Sequence, residues 1–341
     1  MSATAAAATP SPAAAGIAAP LLSVRDLNIV FDGRHGPLTA LDGVSFEIAP
    51  GEILGVVGES GAGKSLTGTA VIGLLDPPGR VAGGSIHLSG ERIDNLPAES
   101  MRRLRGRQIG AIFQDPLTSL HPLLTVGDQL VETIQTHLPI SRAEARTRAL
   151  NLLKEVGIPA AETRIDQFPH QFSGGMRQRV VIALALCAEP KLIIADEPTT
   201  ALDVSIQAQI TTLLKRLCRE HGTAIMLVTH DMGVIAETAD RVAVMYAGRI
   251  VEIGPVEEVT RRPRHPYTAG LMASIPSIHA RHERLNQIDG AMPRLNAIPP
   301  GCAFNPRCGF AQPLCWEVRP SLPTGAHVAA CHFPLREQAH A

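Results

Sequence analysis

The chain has few aromatic residues and almost no net charge. Phe, Trp and Tyr make up 3% of its 341 residues, and the formal net charge is −1 at pH 7. Both values argue against nucleic acid as the main partner, because such proteins usually carry basic surfaces and aromatic stacking platforms. No segment approaches the ~18 consecutive apolar residues of a membrane-spanning helix. We therefore expect a soluble globular protein, with 45% hydrophobic residues available for its core.

The first 20 residues also lack charged side chains, and they are rich in Ala, Pro and Ser. A secretory signal needs a basic region followed by a long apolar region, and both are missing. We expect residues 1–20 to form a disordered tail and the chain to be cytosolic, where disulfide bonds are rare.

Strands and helices alternate over residues 21–260. Apolar runs and alternation predict strands, and a 3.6-residue apolar period predicts helices. The predicted strands are 21–31, 44–48, 52–58, 192–196 and 224–230, with a hairpin over 241–254, and the predicted helices are 143–156, 176–188 and 204–220. This order indicates an α/β fold with an antiparallel β subdomain and a helical insert at about 116–171. Over residues 261–341 Pro, His, Asn and Cys become frequent, which indicates a small separate C-terminal extension.

A phosphate-binding loop is the clearest motif. The octapeptide GESGAGKS at 58–65 follows a predicted strand, opens a helix and fits the G-x-x-x-x-G-K-[ST] pattern in full. Its glycines let backbone N–H groups surround phosphate oxygens, and the helix N-terminus adds positive potential. Lys64 would reach the β- and γ-phosphates, and the Ser65 hydroxyl would bind Mg²⁺. The predicted nucleotide-binding residues are Gly58, Glu59, Ser60, Gly61, Ala62, Gly63, Lys64 and Ser65.

Two adjacent carboxylates supply the next part of the site. In LIIADEP, at 192–198, an apolar strand ends at Asp196, at the edge where α/β sheets bind ligands. Asp196 would hold Mg²⁺ through its water shell. Glu197 projects differently and could polarise the attacking water, so we interpret it as catalytic.

A third motif, QFSGGMRQRV, occupies residues 171–180. Ser173, Gly174 and Gly175 precede a predicted helix, which leaves a hydroxyl and free N–H groups at its positive end. The motif therefore predicts a second anion site. Because the loop at 58–65 already covers a triphosphate from one side, this second site suits a nucleotide bound by another molecule.

Together these motifs resemble those of ABC-transporter ATPases, and the resemblance covers residues 21–260. It implies a P-loop NTPase of ABC type with a mixed sheet, in which the Ser-Gly-Gly signature of one subunit closes over ATP held by its partner. It also implies further roles for single residues. Gln114 would bind Mg²⁺ and sense the transmembrane partner, Ala201-Leu202-Asp203 would form the dimer loop, His230 would contact the γ-phosphate, and Phe31 would stack on adenine. Mg²⁺ would be held by Ser65, Gln114 and Asp196, and catalysis would depend on Glu197, His230 and Lys64.

The sequence is most similar to one branch, the ATP-binding subunits of dipeptide and oligopeptide importers. The segments that carry this resemblance are FSGGMRQRV, FQDPLTSLHP (113–122), RHPYTAGLMASIP (264–276) and GCAFNPRC (301–308). Phe172 and Met176 stand where the common signature has Leu and Gln. The resemblance implies ATP hydrolysis that energises peptide import at the cytoplasmic face of the cell membrane. The implied partners are a second ATPase subunit, preferentially a paralogue, two integral membrane permeases and an extracytoplasmic solute-binding protein.

Other functions compatible with this architecture stay open. Nickel and glutathione importers share most of the pattern. Non-transport ABC ATPases act on nucleic acid or the ribosome, but they are expected to carry coiled-coil inserts, zinc modules or basic arms, and often two ATPase halves. This chain has one half and balanced charge. A nucleotide-binding module without turnover is a further alternative, and the Asp196-Glu197 pair and His230 argue against it.

Four cysteines cluster in the C-terminal extension, at Cys302, Cys308, Cys315 and Cys331. The cytosolic expectation argues against disulfides, and the absence of a periodic core pattern argues against simple burial. Four thiolates suit tetrahedral zinc or a [4Fe–4S] cluster, and the residues alone leave the two near even. The peptide-importer resemblance implies the [4Fe–4S] cluster. The other two cysteines, Cys187 and Cys218, are predicted to be core residues.

Overall fold

The structure, a computed structural model of the chain, describes residues 19–34, 36–200, 202–275 and 287–335. Most of the predicted tail at 1–20, Ala201 of the predicted dimer loop and the last residue of the 264–276 motif lie outside the described residues. Within these ranges the chain forms two β-sheets, and helices pack around the larger one.

The strands of the described residues divide between a four-stranded and a seven-stranded sheet. They are β1 (Leu22–Gly33), β2 (Gly36–Ile48), β3 (Ile53–Val57), β4 (Gly79–Leu88), β5 (Glu91–Arg92), β6 (Ile109–Ile112), β7 (Leu192–Asp196), β8 (Ala224–Val228), β9 (Arg241–Tyr246), β10 (Arg249–Pro255) and β11 (Val328–Ala329). The smaller sheet is antiparallel, in the order β2-β1-β4-β5. The larger sheet has the order β11-β10-β9-β3-β8-β7-β6, and its strands from β9 to β6 are parallel.

The helices connect these strands and fill the region between β6 and β7. They are α1 (Lys64–Val71), α2 (Ala98–Leu104), α3 (Pro116–Ser119), α4 (Val126–His137), α5 (Arg142–Glu155), α6 (Ala161–Arg164), α7 (Gly174–Leu186), α8 (Val204–His221), α9 (Met232–Thr238), α10 (Val256–Arg261), α11 (Pro266–Ala273) and α12 (Pro313–Glu317). Short 3₁₀ helices occupy Pro169–Gln171, Leu295–Ala297 and Asn305–Arg307.

The larger sheet separates two hydrophobic cores. Ile53 and Val57 of β3 belong to the core that contains α4, α5, α7 and α8. Leu54 and Val56 belong to the core between the two sheets, together with α1. Since neighbouring side chains on a strand point to opposite faces, a strand buried on both faces is apolar throughout, which is why β3 forms a continuous apolar run.

Most of the predicted elements are confirmed. The predicted strands coincide with parts of β1, β2, β3, β7 and β8, the hairpin turns at Ala247 and Gly248, and α5, α7 and α8 match the predicted helices within two residues. Cys187 and Cys218 are buried as predicted. The sequence did not predict β4 or β6, because β4 contains three glycines and β6 has only four residues, too few for a periodic pattern.

The C-terminal segment packs directly on the rest of the chain. β11 pairs with the edge strand β10, with Val328 opposite Ile253. Tyr267 and Phe304 are buried in the core that contains α4, α5, α7 and α8. The domain boundary near residue 260 stays a prediction, and across it the two parts share a sheet and a core.

Candidate functional site

The candidate site lies at one edge of the larger sheet. The phosphate loop follows β3, Gln114 follows β6, Asp196 ends β7, and His230 follows β8. These four strands are parallel, so their carboxyl ends meet at the same edge. This is the edge at which open α/β sheets bind ligands, and the fold thereby brings together residues that are far apart in sequence.

The phosphate loop wraps around the Lys64 side chain. Lys64 is 6% exposed, and its Nζ donates to the carbonyl oxygens of Gly58 at 2.8 Å and Glu59 at 3.0 Å. Gly58 has a φ of 152°, and a Cβ added there would lie 2.3 Å from the carbonyl oxygen of Met245. Gly63, with a φ of 101°, caps α1 in the left-handed region that favours glycine. The loop therefore requires glycine at these two positions.

The two predicted Mg²⁺ ligands on α1 and β7 are in contact. The Ser65 hydroxyl donates to Asp196 Oδ1 at 2.9 Å. Burial raises the pKa of Asp196, the hydrogen bond from Ser65 opposes that rise, and the neighbouring Glu197 charge adds to it. Burial lowers the pKa of Lys64, while the carboxylates of Glu197, Asp196 and Glu59 partly offset this. Opposite charges thus face each other across the loop.

The side chains of Gln114, Thr200 and His230 surround the Glu197 carboxylate. Gln114 Nε2 donates to Glu197 Oε2 at 3.1 Å, and the Thr200 hydroxyl donates to the same oxygen at 2.8 Å. His230 Nδ1 lies 3.3 Å from Glu197 Oε1. Burial raises the pKa of Glu197, but hydrogen bonds from Thr200 and His230 outweigh it, so the pKa of this carboxyl is lowered overall. The carboxylate is therefore held in its charged form at the mouth of the phosphate loop.

The signature residues lie at the start of α7. The Ser173 hydroxyl accepts the N–H of Met176 at 3.4 Å and so caps the helix. A Cβ on Gly175 would lie 2.7 Å from Ile206 of α8, whereas one on Gly174 would lie 3.7 Å from the nearest side chain. Gly175 thus packs closely against α8, and none of these contacts is to the phosphate loop of the same chain.

The remaining predicted residues lie at the periphery. Asp203 is exposed and is the residue before α8. Phe31 is half-buried in β1, and a Cβ on Gly79 would meet its ring at 2.8 Å. Ser60 and Gly61 are exposed at the tip of the phosphate loop, and Ala62 is buried beneath it. The roles of these residues stay predictions.

Three residues near the site were missed by the sequence analysis. Thr200 bonds the catalytic candidate Glu197, as described above. Tyr267 accepts the backbone N–H of Glu59 through its hydroxyl at 2.9 Å. Arg307 forms two hydrogen bonds to the Glu59 carboxylate, at 2.8 and 3.0 Å. Thr200 could have been identified because it lies only three residues after Glu197, within hydrogen-bonding reach. Nothing local in the sequence links Tyr267 or Arg307 to residue 59.

The four C-terminal cysteines line one small cavity of about 20 Å³, next to His265 and Asn305. Burial raises the pKa of the Cys302, Cys308 and Cys331 thiols, the last to about 11, and neighbouring thiols raise it further. Among the residues that the structure describes, no group of three or more His, Cys, Asp or Glu side chains is arranged to hold a metal ion. The thiols are thus gathered at one place without forming a ready metal site.

No helix of the described ranges is both long and apolar enough to cross a membrane.

Comparison with known families gives two matches. The model of the ABC transporter family matches residues 41–200. The model of the oligopeptide/dipeptide transporter C-terminal region matches residues 251–315. The second match covers most of β10, the segment RHPYTAGLMASIP (264–276) and three of the four clustered cysteines.

Curated relatives match nearly the whole chain. The dipeptide transport ATP-binding protein DppD of Haemophilus influenzae is 46% identical over 319 residues, which are 93% of this chain and 97% of the relative. The oligopeptide transport ATP-binding protein OppD of Escherichia coli is 48% identical over 318 residues, 93% of this chain and 94% of the relative.

Solved structures match the main body. A dimeric post-hydrolysis state of the ATP-binding cassette MJ0796, bound to ADP and Pi, is 29% identical, with a TM-score of 0.62. It covers 69% of this chain and 98% of its own. The cbiO1 protein of Clostridium perfringens, part of the ABC transporter complex cbiONQ, is 32% identical, with a TM-score of 0.63, and covers 71% of this chain and 91% of its own.

Proposed function

This chain belongs to the ATP-binding subunits of the dipeptide and oligopeptide ABC importers, and we propose that it hydrolyses ATP to drive peptide import as one of two paired ATPase subunits. The observation that carries the hydrolytic role is the Glu197 carboxylate. It accepts hydrogen bonds from Gln114 and Thr200 and lies 3.3 Å from His230 Nδ1, and its contacts with Thr200 and His230 lower its pKa. A module that only bound nucleotide would not need these contacts.

We assign the chemistry to the groups that meet there. Lys64 and the loop N–H groups bind the β- and γ-phosphates, and Glu197 orients and polarises the attacking water. His230 holds the γ-phosphate in register with Glu197. Ser65 and Asp196, with Gln114, are the residues that would hold Mg²⁺, which neutralises charge on the transferring phosphoryl group when bound.

A second subunit would complete the site. Ser173, Gly174 and Gly175 present a hydroxyl and backbone N–H groups at the N-terminus of α7, a 13-residue helix whose positive end favours phosphate. In the proposed pair they close over ATP bound to the partner, and Asp203 lies in the contact between subunits. ATP binding stabilises the closed pair, and hydrolysis reopens it, so the closing motion is available to drive transport.

The permease contact is proposed at a groove beside Gln114. This groove of about 500 Å³ lies between β6, α3 and α7, and Phe113 in its lining is 44% exposed. An exposed apolar groove next to the site is suited to a helix of the membrane subunit, which would bind to it and transmit closure. The chain would then act at the cytoplasmic face of the membrane as a peripheral subunit.

The substrate and partner assignments extend the family relationship. The relatives are named for dipeptide and oligopeptide transport, and we propose peptides as the cargo in preference to nickel or glutathione. Two permeases, a paralogous second ATPase and an extracytoplasmic solute-binding protein complete the proposed importer. Peptide length selection would belong to the binding protein and the permeases.

The C-terminal cysteines suit a [4Fe–4S] cluster by donor chemistry, with zinc as the alternative. The donor set is four thiols on one cavity, and two buried polar atoms beside it, His265 Nε2 and Asn305 Oδ1, have no hydrogen-bond partner. His265 Nδ1 accepts the N–H of Tyr267, so Nε2 carries the proton and can donate to a sulfur atom in the cavity. The cavity of about 20 Å³ is too small for a cluster as the side chains stand, so binding would require them to spread. Cys302, Cys308, Cys315 and Cys331 would hold the cluster, which would stabilise the extension.

Purified protein tests the metal assignment. Anaerobic preparations should contain iron and acid-labile sulfide and absorb near ~400 nm, as expected for iron–sulfur ligation. Replacing Cys308 and Cys315 together by serine should remove the absorption. The matched control is Cys187→Ser, which changes a buried core cysteine directly after α7 and should leave the absorption in place. Stoichiometric zinc without iron would establish the alternative.

Transport assays test the proposed function. Cells that carry Lys64→Ala should lose uptake of a labelled peptide, because the β- and γ-phosphates lose their cationic contact. Lys215→Ala, at an exposed lysine of α8 whose amine donates to the Glu237 carbonyl, is the control and should retain uptake. The tagged chain should co-purify with integral membrane proteins. Co-purification with RNA or DNA in their place would instead support the non-transport class.

A further inference from the structure

The second residue of the phosphate loop is held by the C-terminal segment. Arg307 Nη1 and Nη2 donate to Glu59 Oε2 and Oε1 at 2.8 and 3.0 Å, which is a bidentate ion pair. The Arg307 side chain is 7% exposed and that of Glu59 is 28% exposed. Two carbonyl oxygens, those of Asp289 and Ile288, accept further hydrogen bonds from the guanidinium at 2.8 and 3.2 Å. The guanidinium is therefore also held by backbone carbonyls of the C-terminal segment.

Both tyrosines of the chain support this contact. Tyr246 accepts a hydrogen bond from Arg307 Nη1 at 3.3 Å, and Tyr267 accepts the Glu59 N–H at 2.9 Å. The Tyr246 ring is edge-on to the rings of Tyr267 and Phe304, at centroid distances of 4.7 and 5.3 Å. The aromatic packing fixes the position of both hydroxyl groups. Glu59 is thus held through its side chain and its backbone at once.

The charge of Glu59 makes this fixation relevant to nucleotide binding. Glu59 is close enough to Lys64 to raise the pKa of that amine, and Lys64 is the predicted ligand of the β- and γ-phosphates. An unpaired Glu59 carboxylate near Lys64 would repel the triphosphate and compete with it for the lysine. The positive charge of Arg307 compensates the Glu59 carboxylate. Because the pair is largely buried, water would screen the carboxylate charge much less effectively if Arg307 were absent.

We propose that Arg307 and Tyr267 are positioning residues for ATP binding, which fix Glu59 of the phosphate loop and neutralise its carboxylate. The inference rests on the proposed function, since it assumes that the loop binds ATP. Arg307 contacts the loop through Glu59, so its removal should change the affinity for ATP more than the rate of the chemical step. Tyr267 should contribute less, because it supplies one neutral hydrogen bond.

A double-mutant cycle on the full-length chain tests the proposal. We would titrate MgATP into the wild type, Arg307→Gln, Glu59→Gln and the double variant, and measure Kd by calorimetry. Arg307→Gln should raise Kd by at least about tenfold, because it leaves a partly buried carboxylate unpaired. In the Glu59→Gln background the same change should raise Kd by less than about threefold, because no unpaired charge remains. Tyr267→Phe should show a smaller rise than Arg307→Gln.

The matched control is Arg319→Gln. Arg319 belongs to the same C-terminal segment and pairs with Asp42 at 2.8 Å on the surface, and its loss should leave Kd unchanged. Equal effects of Arg307→Gln in the two Glu59 backgrounds, or an effect no larger than that of Arg319→Gln, would overturn the proposal and leave the ATPase assignment intact. A wild-type chain that binds no MgATP would overturn the proposed function and this inference with it.

Discussion

Replacing Glu197 by glutamine tests the catalytic assignment with the smallest change of shape. Gln114 and Thr200 both donate to Oε2, at 3.1 and 2.8 Å, whereas His230 lies 3.3 Å from Oε1. In Glu197→Gln the amide oxygen can take the Oε2 position and keep both donors, with the amide nitrogen toward His230. We therefore expect folding and ATP affinity to be retained while the negative charge is lost.

The size of the effect follows from the role of that charge. A positioned general base contributes about 10²–10⁴-fold to a rate. This corresponds to about 3–5 kcal/mol of transition-state stabilisation. We expect ATP turnover by the assembled transporter to fall by this factor in Glu197→Gln. In the proposed pair ATP stabilises the closed state and hydrolysis reopens it, so the variant should accumulate as an ATP-bound dimer.

Phosphate release by the complex in lipid vesicles measures the turnover, and light scattering with MgATP measures the dimer. Thr200→Val is the matched comparison, since it removes one hydrogen bond to the same oxygen but leaves the charge in place. Losing a hydrogen bond to a charged group costs about 1.5–3 kcal/mol at most, so its effect should be the smaller one. Unchanged turnover in Glu197→Gln, or a greater loss in Thr200→Val, would refute the assignment of the catalytic base.

Two further predictions concern the stability of the fold. In Gly175→Ala the new Cβ would lie 2.7 Å from Ile206, so overpacking should lower the free energy of unfolding by about 1–3 kcal/mol and weaken ATP-dependent dimerisation. Gly174→Ala, with 3.7 Å to the nearest atom, is the control, and equal shifts of Tm in the two variants would contradict the reasoning. Glu252 is fully buried and accepts hydrogen bonds from His327 and from two backbone N–H groups, so Glu252→Ala should cost about 3 kcal/mol. Urea unfolding measures that cost, and a midpoint equal to that of the wild type would show that the buried carboxylate is not stabilising.

The nucleotide site could be predicted from the sequence because its parts are local motifs. The loop 58–65 and the pair Asp196-Glu197 each occupy a few consecutive residues next to an apolar strand, so residue type and context identify them together. The resemblance to ABC-transporter ATPases also implied that Gln114 and His230 belong to the same site. Their convergence on Glu197 required the sheet order, which places β6, β7 and β8 side by side, and no local pattern contains that order.

The contribution of the C-terminal segment could not be predicted in this way. Its composition, rich in Pro and Cys, indicated a separate extension, and its only strand in the described residues, β11, has two residues and no readable period. Arg307 is 248 positions from Glu59, and Tyr267 is 208 positions away. Contacts over such separations depend on how the segment folds back across the main body. The sequence therefore identifies Glu59 as part of the phosphate loop but not the arginine that pairs with it.

The same geometry connects the cysteines to the ATP site. Arg307 is the last residue of the short helix Asn305–Arg307 and directly precedes Cys308. Cys302 lies three residues before the start of this helix. The Cys302 N–H donates to the Cys315 carbonyl at 2.8 Å, and the Asn305 side chain donates to the same oxygen at 3.0 Å. These bonds fix the helix that carries the guanidinium. Because both bonds end on the carbonyl oxygen of Cys315, the position of Arg307 beside the phosphate loop depends on how the cysteine-containing segment folds.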